Sequence, residues 1–265
     1  MLLLAGVVLL SMGGMWLSRM SKEFDASSQA STTLDERFGK PSQFGPSADG
    51  AVPPDRMEAF LAVRDATAPT RTAIAGIFAK FPTREEAEAL ENAPFFEKIT
   101  RGFGIARTGM ELPTTLGEFF RVRDETLLAQ EMGMGEYSYI YVLVYHTWLG
   151  HPPVDGPLRD GSEGAAPVPA GVQGRIHDNL ATMLENQAAA LPAGAPQEWR
   201  DRLAAEIAAL KEDATRIPWK DGLPEAIAAS FAPYRDRLEA SYVPATNLFE
   251  LARNRKRGAM QYTSE

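Results

Sequence analysis

Helical spacing dominates the pattern of hydrophobic positions along this chain. From residue 54 onwards, apolar residues recur three or four positions apart, which places them on one face of an amphipathic α-helix. The first such stretch contains Met57, Phe60, Leu61, Ala68, Ile74, Ile77, Phe78 and Phe81. Pro69 interrupts it and predicts a kink or a break in the helix, because proline lacks the amide hydrogen and clashes with the preceding turn.

Later segments repeat the helical pattern with recognisable starts and stops. Thr115 followed by Glu118 forms a capping-box sequence and predicts a helix that begins there and ends near the glycines at 133 and 135. Three more helices are predicted over residues 172–191, 196–217 and 224–253, with Pro233 and Pro244 bending the last. Strand signals are absent outside one segment, so the predicted fold class is all-α, a helical bundle of about six to eight helices with an N-terminal membrane anchor or signal segment.

Residues 137–149, YSYIYVLVYHTWL, are the most apolar segment after the N-terminus. Their β-branched and aromatic content would suit a strand, but no second strand is present to pair with it. Tyr137, Tyr141, Tyr145 and Trp148 fall on one helical face. We therefore predict a central helix, buried on every side, that contacts neighbouring helices through Phe60, Phe119 and Phe120.

Two helical segments share a sequence motif. Residues 60–67, FLAVRDAT, match residues 119–126, FFRVRDET, and a weaker echo occurs at residues 231–236, FAPYRD. Phe and an apolar residue three positions on would share one helix face, with the Arg-Asp pair just beside it. The match is typical either of two copies of one helical unit or of coincidence between amphipathic helices.

The N-terminus predicts a membrane anchor. Residues 1–17, MLLLAGVVLLSMGGMWL, carry no charge and would span about 25 Å as a helix, slightly less than a hydrocarbon core of about 30 Å. Residues 1–20 are interpreted as a transmembrane or signal-anchor segment and residues 21–53 as a disordered linker. The helical domain is predicted over residues 54–253, with possible sub-parts 54–150 and 171–253 joined by loop 151–170, and residues 254–265 form a basic flexible tail.

Composition narrows the function classes. The net charge is −8, from 35 acidic and 27 basic residues, so the surface as a whole repels nucleic acid. The chain contains no cysteine, which excludes disulfides, thiolate metal ligands and a cysteine nucleophile. We expect no nucleic-acid partner and no cofactor.

The three histidines, His146, His151 and His177, do not form a recognised metal motif. Neither the Glu-x-x-His pair of helical two-metal sites nor the His-Glu-x-x-His pattern occurs, so we predict no metal site. The best candidates for binding a ligand or a partner are the aromatic residues of the 137–149 helix with its histidine: Tyr137, Tyr141, Tyr145, Trp148 and His146. The alternative is that these side chains fill the core, with each hydroxyl finding an internal partner.

No catalytic motif favours an enzyme. The sequence predicts a single-pass protein of the inner (cytoplasmic) membrane, with its helical domain on the periplasmic side, where it binds or scaffolds another envelope component. One alternative is an enzyme or metal-binding protein that uses residues 137–151. Another is a secreted ligand-binding helical bundle, released by signal-peptide cleavage.

Deleting residues 1–20 should abolish membrane association and leave a soluble, folded domain, because the uncharged segment is the predicted anchor. Membrane fractionation and circular dichroism of the truncated chain measure the two effects. Aggregation or unfolding of that chain would instead make the segment part of the core.

Overall fold

The computed structural model describes residues 25–80, 95–153 and 170–253. Every regular element within these ranges is helical, which confirms the predicted all-α bundle. The longer helices are α1 (residues 25–38), α2 (Pro54–Phe78), α3 (Phe95–Ala129), α4 (Met134–Tyr141, continued by a π-helical segment Val142–Trp148), α5 (Ala170–Ala189) and α6 (Gln197–Glu212). Short helices follow, namely α7 (Glu225–Phe231), α8 (Arg235–Ser241) and α9 (Asn247–Glu250), with 3₁₀ turns at Pro41–Gln43, Ala232–Tyr234 and Pro244–Thr246.

The helices α2, α6 and α7 each begin directly after a proline. Pro53, Pro196 and Pro224 precede α2, α6 and α7. Proline suits this place because its fixed φ matches the start of a helix and the missing amide hydrogen would have no intrahelical partner there. Each of these helices also has an acidic residue in its first turn, where the helix dipole favours negative charge.

Two predicted helix breaks do not occur. α2 runs through Pro69, and α3 runs through Thr115, whose hydroxyl donates to the carbonyl of Glu111 within the helix at 3.0 Å rather than capping a start. Pro69 therefore does not break α2, and the predicted helix start at Thr115 was wrong, because α2 and α3 pack along each other and this packing outweighs local signals. Thr67 and Thr70, on either side of Pro69, are both buried.

Pro233 and Pro244 act as expected on the final helical stretch. Each lies in a short 3₁₀ turn, and these turns separate α7, α8 and α9. The chain therefore folds back in short steps instead of continuing as one long helix.

Residues 25–53 differ from the expected disordered linker. α1 buries Leu34 and Ser31, and the Arg253 guanidinium lies 2.7 Å from Oδ1 of Asp35 and donates to the Ser31 carbonyl at 3.0 Å. Side chains of α5 and α6 donate hydrogen bonds to carbonyl oxygens of residues 39–53. The side-chain amide of Asn186, for example, donates to the carbonyl oxygen of Phe44 at 3.1 Å. A polar, Ser-rich composition predicts disorder only where no neighbour satisfies the backbone, and here neighbours do. The folded unit therefore includes residues from 25 onwards.

Residues 139–146 of the predicted central helix are all buried, as predicted, whereas residues 147–149 are half-buried. Tyr137, Tyr141 and Tyr145 have no exposed surface, and Phe60 packs on Tyr137 with ring centroids 5.3 Å apart. The predicted contact of Phe119 and Phe120 with this helix was wrong. Phe119 and Phe120 instead form a second apolar cluster with Ile74, next to Phe249 of α9.

The predicted anchor at residues 1–20 and the tail at 254–265 lie outside the described residues, as does most of loop 151–170. Over the three described ranges, no helix combines the length and apolar character needed to cross a membrane.

Gly135→Ala should destabilise the fold, whereas Gly76→Ala should stabilise it. A Cβ on Gly135 would lie 2.5 Å from the carbonyl oxygen of Pro41 and 2.6 Å from Cβ of Phe44, while one on Gly76 would meet nothing within 4 Å. Overpacking costs about 1–3 kcal/mol, and alanine gains about 0.5–1 kcal/mol over glycine inside a helix. Urea denaturation of both variants measures the difference, and equal stabilities would contradict the close packing of α4 on the 3₁₀ turn.

Candidate functional site

The core face of α2 carries two arginines. The buried residues Phe60, Arg64, Thr67, Arg71 and Ile74 alternate steps of four and three, the spacing of one helix face. Arginine is rarely fully buried without a partner. The groups that Arg64 and Arg71 face therefore define the polar centre of the molecule.

Arg64 pairs with Glu250 of α9 in the interior. Nη1 of Arg64 lies 2.7 Å from Oε2 of Glu250, and both side chains have no exposed surface. The Tyr137 hydroxyl donates to the same carboxylate oxygen at 2.8 Å, and the Thr246 hydroxyl donates to the other at 3.1 Å. Both oxygens of the buried carboxylate are thus satisfied, which a charge in this position requires.

The charges in this cluster set its protonation. Burial opposes ionisation of Glu250, but Arg64 and Arg71 outweigh it and hold the pKa of Glu250 below its usual range. Burial and the Glu250 charge raise the pKa of Tyr137, so its hydroxyl remains a donor. The cluster at neutral pH therefore contains two guanidinium groups, one carboxylate and the neutral hydroxyl of Tyr137.

Arg123 of α3 holds the end of α9 from the other side. Its Nη1 lies within hydrogen-bond distance of the carbonyl oxygens of Phe249, Glu250 and Ala252, at 3.2, 2.9 and 2.8 Å. Its Nε donates to Oδ1 of the adjacent Asp124 at 2.8 Å. A buried guanidinium here supplies the donors that the last carbonyls of a helix need.

The two copies of the sequence motif thus meet on one residue. Arg64 binds the side chain of Glu250, and Arg123, at the matching motif position, binds its carbonyl oxygen. The copies differ in the aspartate that follows, since Asp65 is exposed and Asp124 is buried. In the third echo Arg235 is exposed and lies over the ring of Trp148, 4.3 Å from its centroid.

The predicted tyrosines all reach the same C-terminal stretch. Tyr137 binds Glu250, the Tyr141 hydroxyl donates to Oδ1 of Asn247 at 2.9 Å, and the Tyr145 hydroxyl lies 2.6 Å from the hydroxyl of Ser241. The Arg64 guanidinium lies 5.3 Å from the ring centroid of Tyr141 and 5.1 Å from that of Tyr145. These rings therefore surround the ion pair and exclude water from it.

His146 and Trp148, the other two predicted site residues, lie at the edge of this cluster. Nδ1 of His146 is 2.9 Å from the carbonyl oxygen of His151, whose ring stacks on Tyr242 at 3.9 Å between centroids. Trp148 is half-buried and packs on Phe231, with 5.8 Å between centroids. Within the described parts of the chain, no three His, Asp or Glu side chains come together in an arrangement that could hold a metal ion.

A π-helical segment, Val142–Trp148, continues α4 in this centre. The Leu149 amide donates to the carbonyl of Val144 at 2.9 Å, and the His151 amide donates to that of Tyr145 at 2.8 Å. π-Helical turns are rare and often mark functional sites. Here the widened turn accompanies five consecutive buried residues, 142–146, in a helix that is apolar on every side.

Sequence reasoning missed Glu250, Asn247 and Arg71. A signal existed for Arg71, because it lies seven residues after Arg64 on the apolar stripe of α2. A weaker one existed for Glu250, an acidic residue between Phe249 and Leu251. Asn247 had none, since its role depends on the turn at Pro244–Thr246 that directs it to Tyr141.

The buried arginines and tyrosines can hold the C-terminal stretch in place and exclude water from the ion pair of Arg64 and Glu250. No protein-family model, curated protein or solved structure matches this chain. The interpretation of the cluster therefore rests on its geometry.

Glu250→Gln should cost about 3–5 kcal/mol near neutral pH, because it leaves the buried guanidinium of Arg64 without its carboxylate. The pKa of Glu250 is lowered on folding, so its stabilisation is full above the unfolded value of about 4.3 and is lost as pH falls through the folded value. The stability gap between parent and variant should therefore narrow below about pH 4. Urea denaturation across this range measures it.

Glu239→Gln is the matched control, since Glu239 forms an exposed pair with Arg235 at 2.9 Å and should change stability little. A gap for Glu250→Gln that stays constant in acid, or no gap at neutral pH, would contradict the assigned role of the ion pair.

Proposed function

We propose that this chain is an inner-membrane envelope protein, anchored by residues 1–20, whose helical body outside the cytoplasm binds or scaffolds another envelope component. The residues first selected for binding or chemistry are, in large part, turned inward. The function then belongs to the outer surface of a rigid body.

One observation carries this proposal, the closed state of the polar centre. The carboxylate of Glu250 and the hydroxyls of Tyr137, Tyr141 and Tyr145 all have protein partners, and these four side chains have no exposed surface. A buried network of side chains that hydrogen-bond to one another stiffens a fold and favours one arrangement of its helices. Such rigidity suits a protein that presents a fixed surface to a partner.

The position of α1 bears on how the body would sit at a membrane. Only residues 21–24 separate the predicted anchor from α1, and four residues reach at most about 14 Å when extended. Because α1 is fixed to the rest through Asp35 and Arg253, the body would be held close to the bilayer. The partner would then be a component at the membrane surface and not one reached by a long tether.

Charge favours a protein partner over nucleic acid. The net charge of −8 opposes approach to a phosphate backbone, as it does to anionic lipid headgroups. Exposed ion pairs between elements, such as Arg37–Glu131 at 3.2 Å and Arg237–Glu58 at 2.9 Å, give the surface both signs of charge.

In-cell photocrosslinking tests the proposal. A photoreactive residue is placed singly at the exposed positions Ala73 of α2, Ala205 of α6 and Ala229 of α7, with the buried Leu210 as the background control. We expect one face to give a discrete 1:1 adduct with a membrane-fraction protein. A charge reversal beside that position should abolish the adduct without changing the melting temperature.

The same experiment separates the alternatives. No adduct above the Leu210 background at any position, or adducts that persist unchanged after removal of residues 1–20, would overturn the anchored scaffold. Recovery of the protein from the medium with its N-terminal segment removed would establish the secreted form instead.

A further inference from the structure

Among the residues whose burial the structure describes, three arginines are almost fully buried, and they differ in how their charge is balanced. Arg64 has the carboxylate of Glu250, and Arg123 has that of Asp124, whose Oδ1 lies 2.8 Å from Nη2 of Arg123. Arg71 has no carboxylate within ion-pair distance among the described residues. Its two terminal nitrogens donate to the carbonyl oxygens of Ser241 and Arg64.

Those two carbonyl oxygens leave Arg71 incompletely satisfied. A guanidinium has five N–H donors, and Nε of Arg71 is buried without a hydrogen-bond partner in the described parts of the chain. Burial, followed by the neighbouring Arg64 charge, lowers the pKa of Arg71. The buried centre thus holds two cations, Arg64 and Arg71, against the single anion Glu250, and an unbalanced interior charge is costly.

Arg71, which is 1% exposed, is also among the residues that line a cleft between α2 and α8. The cleft has a volume of about 260 Å³, and Ala68, Thr72, Ser241 and Arg71 are among its lining residues. Asp65 and Arg237, also part of the lining, come from α2 and α8, and their charged ends are 3.6 Å apart. The cleft therefore has a second cation at its rim, Arg237, whose contact with Asp65 is longer than its 2.9 Å pair with Glu58.

We propose that this cleft binds a small anion of the carboxylate or phosphate class, held by Arg71 on the inner side and Arg237 at the rim. The anion supplies the negative charge that the buried centre lacks, and it displaces Asp65 from Arg237. The guanidinium group suits both anion types because its N–H donors match two oxygens at once. The volume fits one such group and not a nucleotide or a chain of sugars.

Thermal unfolding of the full chain, titrated with inorganic phosphate or with acetate, tests the site. Chloride replaces the anion at constant ionic strength, so that general salt effects are subtracted. We expect a saturable rise in melting temperature with at least one of the two anions. The two series distinguish phosphate from carboxylate as the preferred class.

Ala68→Glu and Ala73→Glu form a matched pair. Both positions are exposed alanines of α2, but residue 68 lines the cleft three residues before Arg71, whereas residue 73 is outside it. A carboxylate introduced at position 68 is placed to pair with Arg71 and occupy the site. Ala68→Glu should then remove the anion response, and Ala73→Glu, the same substitution with the same added charge, should keep it.

Arg237→Ala provides the second measurement, and it decides the matter if Ala68→Glu does not fold. Loss of this rim contact should weaken anion binding about tenfold or more, whereas Arg121→Ala, a surface arginine of α3, should leave it unchanged. An equal response in all variants would show a general salt effect and overturn the site. A parent chain that responds to neither anion would overturn it as well.

Discussion

The buried pair of Arg64 and Glu250 is the interaction on which the other parts of this structure depend. A carboxylate without exposed surface requires both a counter-charge and hydrogen bonds to its two oxygens. Arg64, Tyr137 and Thr246 provide them, and they belong to α2, α4 and the turn before α9. The contacts of the buried Glu250 carboxylate therefore fix these three elements relative to one another.

The C-terminal stretch owes its position to side chains more than to regular packing. Residues 242–253 contain the 3₁₀ turn Pro244–Thr246 and the single-turn helix α9, both too short to be stable by themselves. Arg64 and Arg71 bind the last carbonyl of α8, Arg123 binds the end of α9, and Arg253 reaches back to α1. Arginine suits each place because its planar group reaches several carbonyl oxygens at once. The stretch thereby links the first described helix to the core.

The same arginines give the interior an excess of positive charge. Glu250 balances one guanidinium, Asp124 stays beside Arg123, and Arg71 depends on carbonyl oxygens alone among the described residues. A stability role accounts for the first two, because each closes a helix end or an ion pair. A stability role does not account for the unbalanced charge of Arg71. The adjoining cleft is the place where a small anion can neutralise that charge.

The sequence by itself determined the helical fold class, the buried character of residues 137–149 and the divisions at Pro233 and Pro244. These follow from local causes, namely the spacing of apolar side chains and the geometry of proline. Only the tertiary structure decided that α2 continues through Pro69, that residues 25–53 are ordered, and that Glu250 meets Arg64 from a distant part of the chain. Those outcomes depend on which distant surfaces come together, because packing and the satisfaction of buried polar groups outweigh local preference. The motif at Phe60 and Phe119 contains Arg64 and Arg123, but the sequence placed them beside the apolar face and predicted neither their burial nor their partners.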